Sequence, residues 1–237
     1  MIDTHCHLLP ALDDGPRDLR GSIALARQLA DAGVSTVVCT PHFSRLYPTT
    51  PAESRLRLTD LRVALANVRL GLELRLAAEV SPALAASAAP EELVARRMGR
   101  FLLVELQPDT PAPFVRTVVE RLAKMELRPV LAHPERCPAA WTQPSLLDEA
   151  RAAGALIQVV ASSVTGRFGS ETEQAAWRLL GAGRVDLLAS DAHRARPGGS
   201  HLGRAVALIG ARFGSTELDR LTKQNPAQIV EPAAPRA

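Results

Sequence analysis

The chain has 237 residues, 46% apolar, 22% charged and only 3% aromatic, with 28 Lys and Arg against 25 Asp and Glu for a formal net charge of +3. That composition suits one large domain or two small ones and excludes a disordered chain, because there is enough Leu, Ala, Val and Ile to bury a sizeable core. No stretch nears the roughly 18 consecutive apolar residues that span a bilayer, so no membrane insertion is expected, and no basic tract points to nucleic acid.

Short β-branched runs alternate with longer Ala/Leu/Arg segments of helical spacing, which predicts an α/β fold with a parallel sheet. The first strand, 1–4, follows no basic segment or apolar h-region, so no cleaved export signal is expected. A helix over 19–32 stops at Gly33, followed by a strand at 36–40, a helix at 52–68 and a strand at 72–78. Next come a helix at 90–97, a strand at 101–104, a helix at 114–125 and a strand at 129–132. A helix at 145–153 stops at Gly154, a strand covers 155–160, a helix at 171–180 stops at Gly181, and the seventh strand covers 185–189. Helices at 202–213, 217–221 and 227–229 complete a single domain, 1–230, before a flexible tail at 231–237. Seven strands is one fewer than the usual α/β barrel.

In α/β barrels the functional groups sit on the loops that follow the strands. Here the first strand is followed by His5 and His7, the second by His42, the third by Glu79 and the fourth by Glu105. The fifth delivers His133, Glu135 and Arg136, and the seventh Asp191 and His193. Five of the six histidines therefore fall at strand ends. Imidazole nitrogen and carboxylate oxygen are the ligands of hydrolytic Zn, Mn and Fe sites, and a carboxylate can bridge two ions. Two or more metals are feasible. In an extended segment His5 and His7 point to one face, because the strand period is two. The three cysteines, Cys6, Cys39 and Cys137, are an odd, scattered set without a disulfide framework, which fits a reducing cytoplasm.

Eight segments carry a family resemblance: Met-Ile-Asp-Thr-His-Cys-His at 1–7, Asp-Asp-Gly-Pro at 13–16, Thr-Pro-His at 40–42, Ala-Glu-Val at 78–80, Val-Glu-Leu at 104–106, Leu-Ala-His-Pro-Glu-Arg at 131–136, Ala-Ser-Asp-Ala-His at 189–193 and Asn-Pro-Ala-Gln-Ile-Val at 225–230. In that order they resemble the polymerase-and-histidinol-phosphatase (PHP) superfamily, and within it the bacterial manganese-dependent protein tyrosine phosphatases of the CpsB/CapC type. The resemblance implies a distorted seven-stranded (β/α)7 barrel holding three Mn2+ ions, with Zn2+ or Fe also compatible with the donors. It implies that His5, His7, Glu79 and Asp191 hold one ion, that Glu79 bridges to a second held by Glu105 and His133, and that Asp14, His42 and His193 hold the third. Arg136 and Arg196 would bind the substrate phosphate, with Arg194 the alternative to Arg196. Metal-activated hydroxide would attack phosphorus, and the substrate would be the tyrosine-rich tail of a membrane-associated autokinase of polysaccharide synthesis.

Several positions admit a plainer reading. Asp13 competes with Asp14 as ligand, since Asp-Asp-Gly is also turn chemistry. Glu105 could pair with an arginine, and Glu135 reads as a partner of its neighbours rather than a ligand. Gln158, Ser162 and Ser163 read as satisfied polar residues beside the pocket. Cys39 and Arg45 match the Cys-x5-Arg phosphate loop of cysteine-dependent phosphatases, but Pro41 lacks one of the N–H groups that loop needs and no glycine lies between them. The rival functions are a histidinol-phosphate or other small-molecule phosphatase and a non-catalytic metal-binding regulatory module. Arg20-Gly21 replaces the acidic pair of ring-forming relatives, which leaves the oligomeric state open.

Overall fold

In the computed structural model, which describes residues 1–230, the β-branched runs pair in parallel as nine strands. A three-stranded sheet has the order β1 (Ile2–Cys6), β2 (Thr36–Cys39), β4 (Glu73–Leu76). A six-stranded sheet has the order β3 (His42–Phe43), β5 (Glu79–Val80), β6 (Phe101–Glu105), β7 (Arg128–Ala132), β8 (Leu156–Val160), β9 (Leu187–Ala189). The tail at 231–237 lies outside the described residues.

The α/β fold with parallel sheets is as expected, but in place of the expected distorted seven-stranded barrel there are nine strands in two sheets, with no closed ladder among the described residues. Both extra breaks have a local cause. Between β2 and β3 stands Pro41, which has no N–H to continue the ladder, although its carbonyl still accepts the Glu79 N–H at 3.1 Å. Between β4 and β5 the Ala78 N–H turns away to the Arg96 carbonyl at 3.1 Å. The two sheets nonetheless approach each other at the edge where β1 meets the chain leaving β9. There His7 N–H donates to Ala192 O at 3.0 Å and Asp191 N–H to His5 O at 2.9 Å. This seam brings the two ends of the chain into one site.

The helices cover the sheets with their apolar stripes. α1 (Leu19–Asp31) starts where Asp18 accepts the Gly21 N–H at 2.7 Å, and buries Leu25 and Leu29 completely. α2 (Pro51–Asn67) opens on a capping box between Thr50 and Glu53 and buries Leu61 and Leu65. Fully burying one leucine contributes roughly 1.5–3 kcal/mol. Gly33 and Gly154 end their helices at positive φ, +87° and +93°. The expected stop at Gly181 is displaced, because α9 (Ser170–Gly181) includes that residue and Gly183, with φ +64°, makes the turn. The expected helices at 202–213 and 217–221 appear within α10 (His201–Asp219) as two helical segments separated by a kink at Gly214, φ +84°. A π-turn over Arg220–Gln224 then leads into α11 (Asn225–Val230).

A polar clamp ties β8 and β9 to the end of the chain. The Asp186 carboxylate, nearly buried, accepts the Ile157 N–H at 2.9 Å and two bonds from the Arg151 fork at 3.0 and 3.3 Å, while its carbonyl accepts Asn225 Nδ2 at 2.8 Å. Asn225 opens the Asn-Pro segment noted in the sequence. Asp186→Ala would orphan the Ile157 N–H and the partly buried guanidinium, so a loss of about 1–3 kcal/mol is expected in urea unfolding.

Candidate metal centre

The site begins with two histidines on β1 and just beyond it. His5 Nδ1 lies 2.8 Å from Gln158 Oε1; because Gln158 spends its amide on Thr4 Oγ1 at 2.9 Å, that oxygen accepts and the ring N–H donates. His7 Nδ1 lies 2.7 Å from Asp13 Oδ2, again as donor. Both rings therefore carry their hydrogen on Nδ1 and turn Nε2 inward, where the two nitrogens face each other at 3.3 Å. His5 Nε2, His7 Nε2 and His42 Nδ1 also lie 3.3, 3.2 and 3.1 Å from Glu79 Oε2, a buried oxygen that makes no hydrogen bond. In neutral rings these nitrogens and the carboxylate oxygen would turn only lone pairs on one another, so the cluster calls for positive charge between them, either protons, which is why the histidine pKa values are raised, or a metal cation. The donor set thus fits metal.

Three groups of potential ligands result, the ligand atoms of each within 4.8 Å of one another: His5, His7 and Glu79; Glu79, Glu105 and His133; and His7, Asp14, His42 and His193. Glu79 belongs to two of them, and its Oε1 lies 3.0 Å from His133 Nε2. Two details bear on the expected partition. His7 stands also with the third group. Asp191 brings a further carboxylate to the first group, with Oδ1 3.4 and 3.6 Å from His5 and His7 Nε2, while its Oδ2 accepts Arg136 Nη1 at 3.1 Å.

Asp13 and Asp14 are placed differently. Asp13 Oδ2 takes the His7 ring and the His42 N–H at 2.9 Å, and Oδ1 takes the Gly15 N–H at 2.9 Å, so it orients its neighbours. Asp14 faces His193 and His42 at 3.2 and 3.5 Å. Only glycine fits at 15, since a Cβ there would fall 2.5 Å from His7 O and 2.9 Å from Asp13 Oδ1. His133 and Asp191 adopt left-handed backbone, φ +39° and +49°. Such strain costs about 1–3 kcal/mol per residue and is typical of functional sites.

Electrostatics reflect the excess of carboxylate. Burial alone would lower the His7 pKa, but Asp13 and Glu79 outweigh it and hold it well above the ordinary value; His5 and His42 are raised against burial mainly by Glu79. Burial opposes ionisation of Asp14, yet His193, His42 and His7 pull its carboxyl down to about 2. Glu105 is pushed up by burial and then by the Glu79 charge, the repulsion expected of carboxylates gathered around a cation.

Above these groups opens a cavity of about 340 Å3, lined by Asp14, His42, Glu79, Glu105, His133, Asp191 and His193, with His5 and His7 buried behind them. Arg136 also lines it, held by Asp191 and lying with Cζ 4.6 Å over the Phe168 ring. Arg194 and Arg196 both line the outer part.

A model of the family described as capsular polysaccharide synthesis, CpsB/CapC, matches residues 1–231. The chain belongs to the CpsB/CapC family. It is 32% identical over 237 residues to the tyrosine-protein phosphatase YwqE of Bacillus subtilis, covering 97% of this chain and 91% of that one. It is 26% identical to the tyrosine-protein phosphatase CpsB of Streptococcus pneumoniae, covering 97% and 98%. A crystal structure from a description of YwqE and CpsB as unique metal-dependent tyrosine phosphatases superposes with a TM-score of 0.85 at 28% identity, covering 97% of this chain and 94% of that one. A β-aspartyl dipeptidase from Fervidobacterium islandicum AW-1 shares only the fold, with a TM-score of 0.58 at 13% identity and coverage of 97% and 72%.

In this CpsB/CapC chain several residues of the site escaped the sequence reading. Asp3, buried in β1, accepts the His5 and Ser190 N–H groups at 3.3 and 3.0 Å and so joins both sides of the seam. An acid placed inside an apolar strand was its available signal. Gln158 reads as a satisfied polar residue, and it is one, but what satisfies it is His5. Tyr47 stacks on His42 at 5.5 Å, and nothing in its loop sequence predicts that contact. Glu135, fully buried, accepts the Val160 N–H at 3.0 Å. Ser162 lines the cavity, whereas the buried Ser163 Oγ has no hydrogen-bond partner, contrary to the expectation of a satisfied residue. Cys39 is fully buried and burial raises its pKa far above the ordinary thiol range, while Arg45 is exposed, so the two form no phosphate loop.

Proposed function

We propose that this chain is a metal-dependent phosphomonoester hydrolase that removes phosphate from tyrosine in proteins. The observation that carries the reading is the convergence of the three ligand groups at the floor of one cavity with a carboxylate-held arginine in its wall. The family, and the activity in the names of YwqE and CpsB, support it.

A phosphate monoester dianion repels nucleophiles. Bound divalent ions neutralise that charge and lower the pKa of water, which supplies a nucleophile at neutral pH. The protein's part is to hold the site and aim the substrate. His5, His7, Asp14, His42, Glu79, Glu105, His133, Asp191 and His193 serve as ligands, with Gln158 and Asp13 fixing two imidazole tautomers. Arg136 donates its fork to non-bridging phosphate oxygens, and Asp191 limits the side-chain freedom it must lose on binding. Arg196 is the second phosphate arginine. The nitrogen and oxygen donors suit Mn2+, and also Zn2+ or Fe, and three groups match three ions. Residues 1–230 act as one domain.

Among the described residues no helix is long and apolar enough to cross a membrane. Together with three buried thiols outside any disulfide, this supports a cytoplasmic enzyme that meets the tyrosine-rich tail of an autokinase at the membrane face.

The test is an assay of Mn-loaded protein on phosphotyrosine peptide, phosphoserine peptide and histidinol phosphate. Phosphotyrosine turnover is expected to dominate, to vanish in EDTA and to return with Mn2+, whereas Cys39→Ser keeps activity within about twofold. Preference for histidinol phosphate would overturn the assignment, turnover of none would favour a regulatory module, and EDTA resistance with loss in Cys39→Ser would overturn metal dependence.

A further inference from the structure

Several arginines of this chain are paired with carboxylates. Arg116, Arg151, Arg184 and Arg220 have carboxylate oxygens at 2.6, 3.0, 2.8 and 2.6 Å. The outer wall of the cavity is different. Arg167, Arg194 and Arg196 line it together, and among the described residues none has a carboxylate within 4.0 Å. They are near enough to act on one another, since burial and then the Arg167 and Arg194 charges lower the Arg196 pKa. Clustered like charges with no counter-charge are unfavourable in the free protein and become favourable when an anion joins them.

The cluster is also built rather than loose. Gln28 on α1 grips the Arg196 backbone from both directions, its Nε2 donating to Arg196 O at 2.7 Å and its Oε1 accepting Arg196 N–H at 3.1 Å. Arg167 sits on a tight turn, its N–H donating to Ser162 O at 3.0 Å between Gly166 and Gly169, both at positive φ. Phe168, 41% exposed, connects this wall to the centre, with Arg136 Cζ at 4.6 Å and Arg167 Cζ at 5.7 Å from its ring.

We propose that Arg167 and Arg194, flanking Arg196, form a second anion subsite that takes a negatively charged group next to the phosphotyrosine of the substrate peptide. This rests on the phosphotyrosine reading and narrows its substrate class to locally anionic sequences. The anion is either a carboxylate of a neighbouring Asp or Glu or a second phosphate ester. Both offer oxygens to guanidinium forks.

The experiment compares three peptides of equal length on Mn-loaded enzyme: phosphotyrosine flanked by Gln, flanked by Glu, and accompanied by a second phosphotyrosine two residues away. At low salt kcat/KM is expected to be about tenfold higher for an anionic peptide than for the Gln peptide, and the ratio to shrink in 0.5 M NaCl. In the Arg167→Ala/Arg194→Ala double variant the ratio falls to about one, while the distant Arg116→Ala retains it. Preference for the Glu peptide assigns a carboxylate, preference for the doubly phosphorylated peptide assigns a phosphate, and preference for both assigns either; each supports the subsite. Equal kcat/KM on all three peptides in the wild type overturns it, as does a preference that survives the double variant. Failure to turn over even the Gln peptide overturns the phosphotyrosine reading beneath it, so the two failures are distinct.

Discussion

Glu79→Gln is expected to lower kcat/KM on a phosphotyrosine peptide by about 10³-fold, since bound metal supplies several kcal/mol of transition-state stabilisation and each 1.36 kcal/mol is tenfold. No other side chain touches as many ligands: its oxygens lie 3.0 to 3.3 Å from ring nitrogens of His5, His7, His42 and His133. Glutamine keeps the size but removes the charge and exchanges one oxygen for an NH2 group, which has no lone pair to share with a cation. Because Glu79 belongs to two ligand groups, metal content per chain should fall by more than one ion, as read by elemental analysis after gel filtration. The circular dichroism spectrum should stay native, because glutamine matches glutamate in size and the strands around it keep their backbone pairing. Activity within tenfold of wild type with full metal content would remove Glu79 from the centre.

Arg136→Ala separates phosphate binding from metal binding. One or two charge-assisted hydrogen bonds at about 1.5–3 kcal/mol each predict a loss of about 10²-fold in kcat/KM. Metal content should remain near wild type, because Arg136 touches Asp191 only through the oxygen that faces away from His5 and His7. Arg136→Lys should recover only part of the loss, since an ammonium lacks the planar fork. A parallel loss of metal in Arg136→Ala would instead make the arginine a support for Asp191.

Much of this centre is legible in the sequence because its candidate donors stand in or just beyond short apolar runs, and such a run ending in His, Glu or Asp is a local pattern. His5-x-His7 shares a face by the period of two, and His42, Glu79, Glu105, His133 and His193 each stand at the boundary of an apolar run. The fold class is legible for the same reason. The barrel count is not, because splitting two strands depends on where single N–H groups donate, that of Ala78 to Arg96 and none at all at Pro41. The Asp13-Asp14 pair shows the limit most sharply. Two identical side chains on adjacent residues take different roles, decided by which one the turn at Gly15 directs toward His7.

By itself the sequence determined the alternation of strands and helices, the candidate donors and the case against a Cys-x5-Arg phosphate loop, since periodicity, turn chemistry and the missing N–H of Pro41 are properties of neighbouring residues. Only the tertiary structure decided how the candidate donors gather, with His7 in two groups and Asp191 between the histidines and Arg136, and the hold of Gln158 on His5 across 153 positions. It also decided that three arginines share one wall without a carboxylate within 4.0 Å among the described residues. Those facts depend on distances between residues far apart in the chain, which are set when β1 closes against the segment after β9.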